Sequence, residues 1–148
     1  MIRQFCEIRD FILRLRVQMR FGKLSRAPLR LLRLELSDDT AHCEWIARSA
    51  DAWDKDLARA AAECNEAEQA LVDALAVRDL LFYALPSLAT ASFRVFRQPV
   101  DERRELIITG TVSKPEPIRY GSSLVMRAKL CGFEFSLNDG RLETLVTD

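Results

Sequence analysis

Phe5, Ile8, Ile12, Leu15 and Met19 recur at alternating steps of three and four residues, which places them on one stripe of a helix with most arginines outside it. The same stretch also alternates. Leu13, Leu15, Val17, Met19 and Phe21 are separated by Arg14, Arg16, Gln18 and Arg20, the period of a strand. The helix is preferred on the length of the stripe, on its Arg, Gln, Leu, Met and Ile content, and on Gly22, which stands where a helix would stop.

After a breaker at Ser25–Pro28, the pattern predicts a β-hairpin. Leu32, Leu34 and Leu36 alternate with Arg33 and Glu35, Ser37–Thr40 supply turn chemistry, and Cys43, Trp45 and Ala47 alternate with Glu44, Ile46 and Arg48. From about Trp53 to Leu85 the spacing predicts helix, with Leu57, Ala61, Cys64, Leu71, Leu75, Phe82 and Leu85 on related positions. Asp51 or Asp54 can cap its start, Pro86 stops it at Leu85, and Asn65 is expected to divide it in two. Ser92–Gln98 and Glu105–Val112 read as two strands joined by the polar loop PVDERR. Leu124, Val125, Ala128 and Cys131 then mark a short helix between Ser122 and Gly132. FEFSL and RLETLV flank Asn138-Asp139-Gly140, the strongest hairpin signal in the chain.

The elements order as α-ββ-α-ββ-α-ββ. The expected fold is α+β, an antiparallel sheet built from up to three hairpins with helices packed on one face, in a single domain over residues 1–148. Residues 1–24 form a basic amphipathic segment able to project from it. From the helix before Pro86 to the strand at Phe133, the order α-β-β-α-β with the run LIITGTV resembles the BON domains of bacterial envelopes. That resemblance implies a small lipid- or protein-binding module over this portion of the chain.

Composition narrows the function by exclusion. The chain of 148 residues carries 22 basic and 22 acidic groups and 49% hydrophobic residues, enough for one core without disulfides or metal. No charge-free run approaches membrane-spanning length. The N-terminus lacks the apolar core of a secretory signal, because Arg3, Glu7, Arg9, Asp10 and Arg14 interrupt it, and a cytoplasmic protein is expected. Cys6, Cys43, Cys64 and Cys131 show no CxxC pair and read as reduced, mostly buried side chains.

Neither GxGxxG, GxxxxGK[ST] nor GxSxG occurs, which disfavours nucleotide-dependent and serine-hydrolase chemistry. His42 is the single histidine, and its neighbour Cys43 points to the opposite face of a strand, so the two cannot form a nucleophile pair. Asp38-Asp39 and the run from Asp51 to Asp56 have too few converging carboxylates for a hard cation and serve as turn and cap residues. No catalytic, cofactor or metal residue is expected.

The zero net charge conceals a gradient. Residues 1–36 hold nine basic groups against three acidic, a net of +6, whereas residues 37–85 hold four against eleven, a net of −7. The expected function is therefore a non-enzymatic protein-interaction or scaffold module, self-associating through its N-terminal helix. The contact residues are the stripe Phe5, Ile8, Ile12, Leu15 and Met19 and the charged flank Arg9, Arg14, Arg16 and Arg20. Two alternatives stand beside it: an electrostatic binder of nucleic acid or anionic membrane through the same arginines, and a small enzyme using His42 or the Asp38/Asp39 pair. In a further reading the stripe packs on the sheet and the arginines pair with the acidic middle of the chain.

Overall fold

A computed structural model of the chain describes residues 2–19, 29–48, 58–98, 103–113 and 123–145, with side chains from Phe5 onward. Helix α1 (Ile2–Gln18) resolves the ambiguity of the first segment. Phe11, Leu15 and Met19 are buried while Leu13 and Val17 are exposed, so the period in force is four residues and not two. Residues Arg20 to Pro28, including Gly22 and the breaker, lie outside the described residues.

The main sheet has five strands, β1 (Arg30–Ser37), β2 (Thr40–Ile46), β3 (Thr90–Arg97), β4 (Glu105–Ser113) and β5 (Phe133–Glu134), in the spatial order β1-β2-β3-β4-β5. β1 and β2 form the predicted hairpin, with Asp38 in the left-handed region at φ 55° within the turn. The expected all-antiparallel sheet is corrected to a mixed one, because β2 and β3 run parallel with Cys43 beside Phe93 and Trp45 beside Val95. The reason lies in the connection: helix α2 (Arg59–Ala84) joins them, and a parallel pair requires such a crossover. β4 returns antiparallel to β3.

One face of this sheet is the core. Ala41, Cys43 and Trp45 of β2 and Ala91, Phe93 and Val95 of β3 alternate inward and are buried, as the period of two demands. Gly110 of β4 stands in register between Phe93 and Phe133. Its missing side chain lets those two rings meet across it, 5.4 Å between centroids. Trp45 meets the same Phe93 edge-on at 5.9 Å.

α2 runs unbroken through Asn65, which corrects the expected division; the stretch buried from Ala67 to Ala84 anchors the helix, and one poor helix former does not stop it extending back to Arg59. From Ala67 to Ala84 it is buried on nearly every side, and α1, α3 and the C-terminal hairpin all contact it. Glu63, Glu66 and Glu68 lie in its N-terminal half, beyond its first turn. Trp53, Asp51 and Asp54, named above as entry residues, lie outside the described residues.

Helix α3 (Leu124–Leu130) begins at Ser123, whose side chain accepts a hydrogen bond from the Met126 backbone N–H, and is followed by Gly132 at φ 107°. The FEFSL run does not become one strand. Phe133–Glu134 joins β4 as β5, and a separate two-stranded ribbon, β6 (Leu137–Asn138) and β7 (Arg141–Leu142), turns through Asp139 at φ 52° and Gly140 at φ 80°. Arg97 fastens this ribbon to the sheet: its Nη1 donates to the Leu142 carbonyl at 2.7 Å while Nε and Nη2 donate to Glu105.

Candidate functional site

The residues expected to form a contact stripe divide between two environments. Leu15 and Met19 are buried in the core together with Phe11, Ile8 and Ile12 are half-buried at its edge, and Phe5 stands 73% exposed. Arg9 and Arg16 are exposed along the same flank, and Arg20 lies outside the described residues. Phe5, Ile8, Arg9, Ile12, Leu13 and Arg16 line a shallow concave surface. Arg14 turns to the other side, where its Nε donates to Asp10 at 2.8 Å and its guanidinium lies 4.9 Å from the ring centre of exposed Tyr83. The described contacts of Arg14 are thus with its own helix and an aromatic ring, not with the acidic turns of α2.

Two residues that the stripe omits complete the outer surface of α1. Leu13 is 48% and Val17 is 78% exposed. Their signal was present in the sequence as the alternation that imitates a strand. A helix that is apolar on two opposite sides produces the same pattern, because a step of two residues turns it by about 200°. α1 is therefore apolar both where it meets the core and where it meets solvent.

A second constellation occupies the sheet face opposite the core. β1, β2 and β3 bring Glu35, His42 and Ser92 into one row and Arg33, Glu44 and Arg94 into the next. His42 Nδ1 lies 2.8 Å from Ser92 Oγ, and Nε2 lies 2.5 Å from Glu44 Oε2. Arg33 reaches both Glu35 at 2.7 Å and Glu44 at 3.5 Å. A carboxylate only accepts, so Glu44 fixes the ring proton on Nε2 and leaves Nδ1 of the neutral ring to accept from the Ser92 hydroxyl. This chain was invisible to motif reasoning, because Ser92 and His42 are 50 residues apart and meet only through the parallel pairing of β2 with β3. Cys43 points the other way, into the core, where burial pushes its thiol up to about 12.

Asp38 and Asp39 are exposed in the β1–β2 turn. Of the cysteines only Cys43 is buried; Cys6 and Cys64 are exposed and Cys131 is half-buried, which corrects the expectation of mostly buried thiols. Among the described residues no group of three or more His, Cys, Asp and Glu side chains could hold a metal ion. Among them, too, no helix is long and apolar enough to cross a membrane.

Beneath α2, Arg48 and Asp73 form an ion pair at 3.0 Å with side chains only 1% and 2% exposed, and Gln69 donates to Asp73 at 2.8 Å. The pair ties the segment just beyond β2 to the middle of α2. From α2 onward the elements run α2-β3-β4-α3-β5 along the chain. No family model, curated protein or solved structure matches the chain.

Proposed function

We propose that this chain is a non-enzymatic interaction module that pairs with a second copy of itself through the outer surface of α1. The observation that carries the reading is the exposure of Leu13 and Val17 on a helix whose opposite side, Phe11, Leu15 and Met19, is already buried, with Phe5 exposed at the N-terminal end of the buried stripe. A helix that is apolar on both sides has a covered side and one that water meets unfavourably.

A second copy suits this surface because the exposed apolar residues Phe5 and Val17 lie six residues either side of Phe11 on α1. In an antiparallel pair about a two-fold axis at residue 11, Phe5 of one copy lies beside Val17 of the other, and Leu13 lies beside the aliphatic stem of Arg9. Each contact then occurs twice. A polyanion would leave Leu13 and Val17 in water, so the arginines serve here as the rim of an apolar contact. A reducing cytoplasm suits the free cysteines, none of which takes part in a disulfide.

Sedimentation over a wide concentration range tests the reading, since a one-helix interface is small and its dimer weak. The wild-type chain shifts toward twice the monomer mass as concentration rises, and the Leu13→Glu and Val17→Glu variants stay monomeric with unchanged melting. A wild-type chain that remains monomeric throughout, or variants that dimerise as well as it does, overturns the proposal.

A further inference from the structure

We infer that Ser92 is a nucleophile that accepts acyl groups from activated esters, with His42 as its base. The hydroxyl lies 2.8 Å from His42 Nδ1, the nitrogen that Glu44 leaves unprotonated by holding the proton on Nε2. The base is thus in hydrogen-bond reach of both the nucleophile and an orienting carboxylate, the arrangement that activates a serine. Arg33 Nη1 lies 3.5 Å from the same Glu44 oxygen. The whole chain stands on the sheet face away from the core, where His42 and Ser92 are half-buried.

The step balances without any further reactant. Ser92 Oγ attacks the acyl carbon, its proton passes to His42 Nδ1, and the bond from the acyl carbon to the leaving oxygen breaks. The leaving group departs as an alcohol or phenol once the proton is handed on, and the acyl group stays on Oγ. The same geometry limits the reaction to acceptance. β3 is paired on both sides, by β2 and by β4, so the backbone N–H groups around Ser92 are engaged in the ladder and offer no oxyanion hole. The one cation on its strand and face, Arg94, lies over Phe96, two residues further from Ser92. Such a serine takes an acyl group from a good leaving group and releases it slowly.

The probe is p-nitrophenyl acetate on the full chain, with the acetylated residue located by mass spectrometry of peptides. Ser92 of the folded wild-type chain acquires the acetyl group, Ser92→Ala does not take it in that peptide, and His42→Gln slows the labelling by about 10²-fold. The wild-type chain unfolded in urea provides a control that needs no variant: there Ser92 loses its preference over the other serines. Equal labelling of Ser92 in folded and unfolded chain, equal rates with and without His42, or no label on Ser92 overturns the inference.

Discussion

Removing the Asp73 carboxylate isolates the energetics of the buried pair. In Asp73→Ala, the Arg48 guanidinium remains in a side chain 1% exposed, and Gln69 loses the acceptor it meets at 2.8 Å. An uncompensated buried charge of this kind costs about 3–5 kcal/mol. With a urea dependence near 2 kcal/mol per molar, the unfolding midpoint falls by roughly 2 M. The double variant Arg48→Met with Asp73→Leu removes both charges and keeps the volume, and it recovers most of that loss. The pair also carries a pH signature. Burial pushes the Asp73 carboxyl up to about 6, against the opposing pull of Arg48 and Gln69. The native state therefore holds a proton that the unfolded chain has already released, and the contribution of this group to stability falls as pH rises from about 4 to about 6. Asp73→Asn loses that slope. Urea titrations of the four chains at pH 7, and of the wild type and Asp73→Asn at pH 5, measure these effects. A cost below about 1 kcal/mol for Asp73→Ala, or a double variant no better than the single one, refutes the reasoning.

Phe11→Ala empties the centre of the buried side of α1 and costs about 3–5 kcal/mol in chemical denaturation, far more than Leu13→Ala on the exposed side. Gly140→Ala sets a Cβ against Cys64 Sγ at a residue with φ 80°, and lowers the thermal midpoint by about 2–4 °C or more. Adding Cys64→Ala to that variant restores part of the loss, because the overlap is relieved and the backbone strain is not.

What the chain discloses by periodicity is the set of elements whose burial is one-sided. The apolar residues of β1, β2 and β3 alternate because one face meets the core and the other does not, β4 instead carries the continuous buried run Leu106, Ile107 and Ile108, and Ser123 and Gly140 carry local turn and cap chemistry that needs no tertiary knowledge. Partnering of strands is less legible. Nothing in the β2 or β3 sequences states that they run side by side, since the register is decided by how α2 crosses the sheet. The contact of His42 with Ser92 inherits that limit. α2 hid its extent for a different reason: from Ala67 onward it is enclosed by several elements at once, and neighbours on all sides erase the polar face from which helix boundaries are read. α1 is the reverse case, because its two apolar sides were both written in the sequence and only the structure separates the buried one from the exposed one.

Pairing of α1 with a second copy is tested most directly by cross-linking across the interface. With exposed Cys6 and Cys64 replaced by serine, a Phe5→Cys chain is mixed with a Val17→Cys chain under mild oxidation. Antiparallel helices bring position 5 of one copy to position 17 of the other and keep the two copies of position 5 about 18 Å apart along the axis. The predicted product is the mixed disulfide, in excess over either self-linked dimer. Self-linked products in excess, or no cross-link at concentrations where the chain sediments as a dimer, contradict the account.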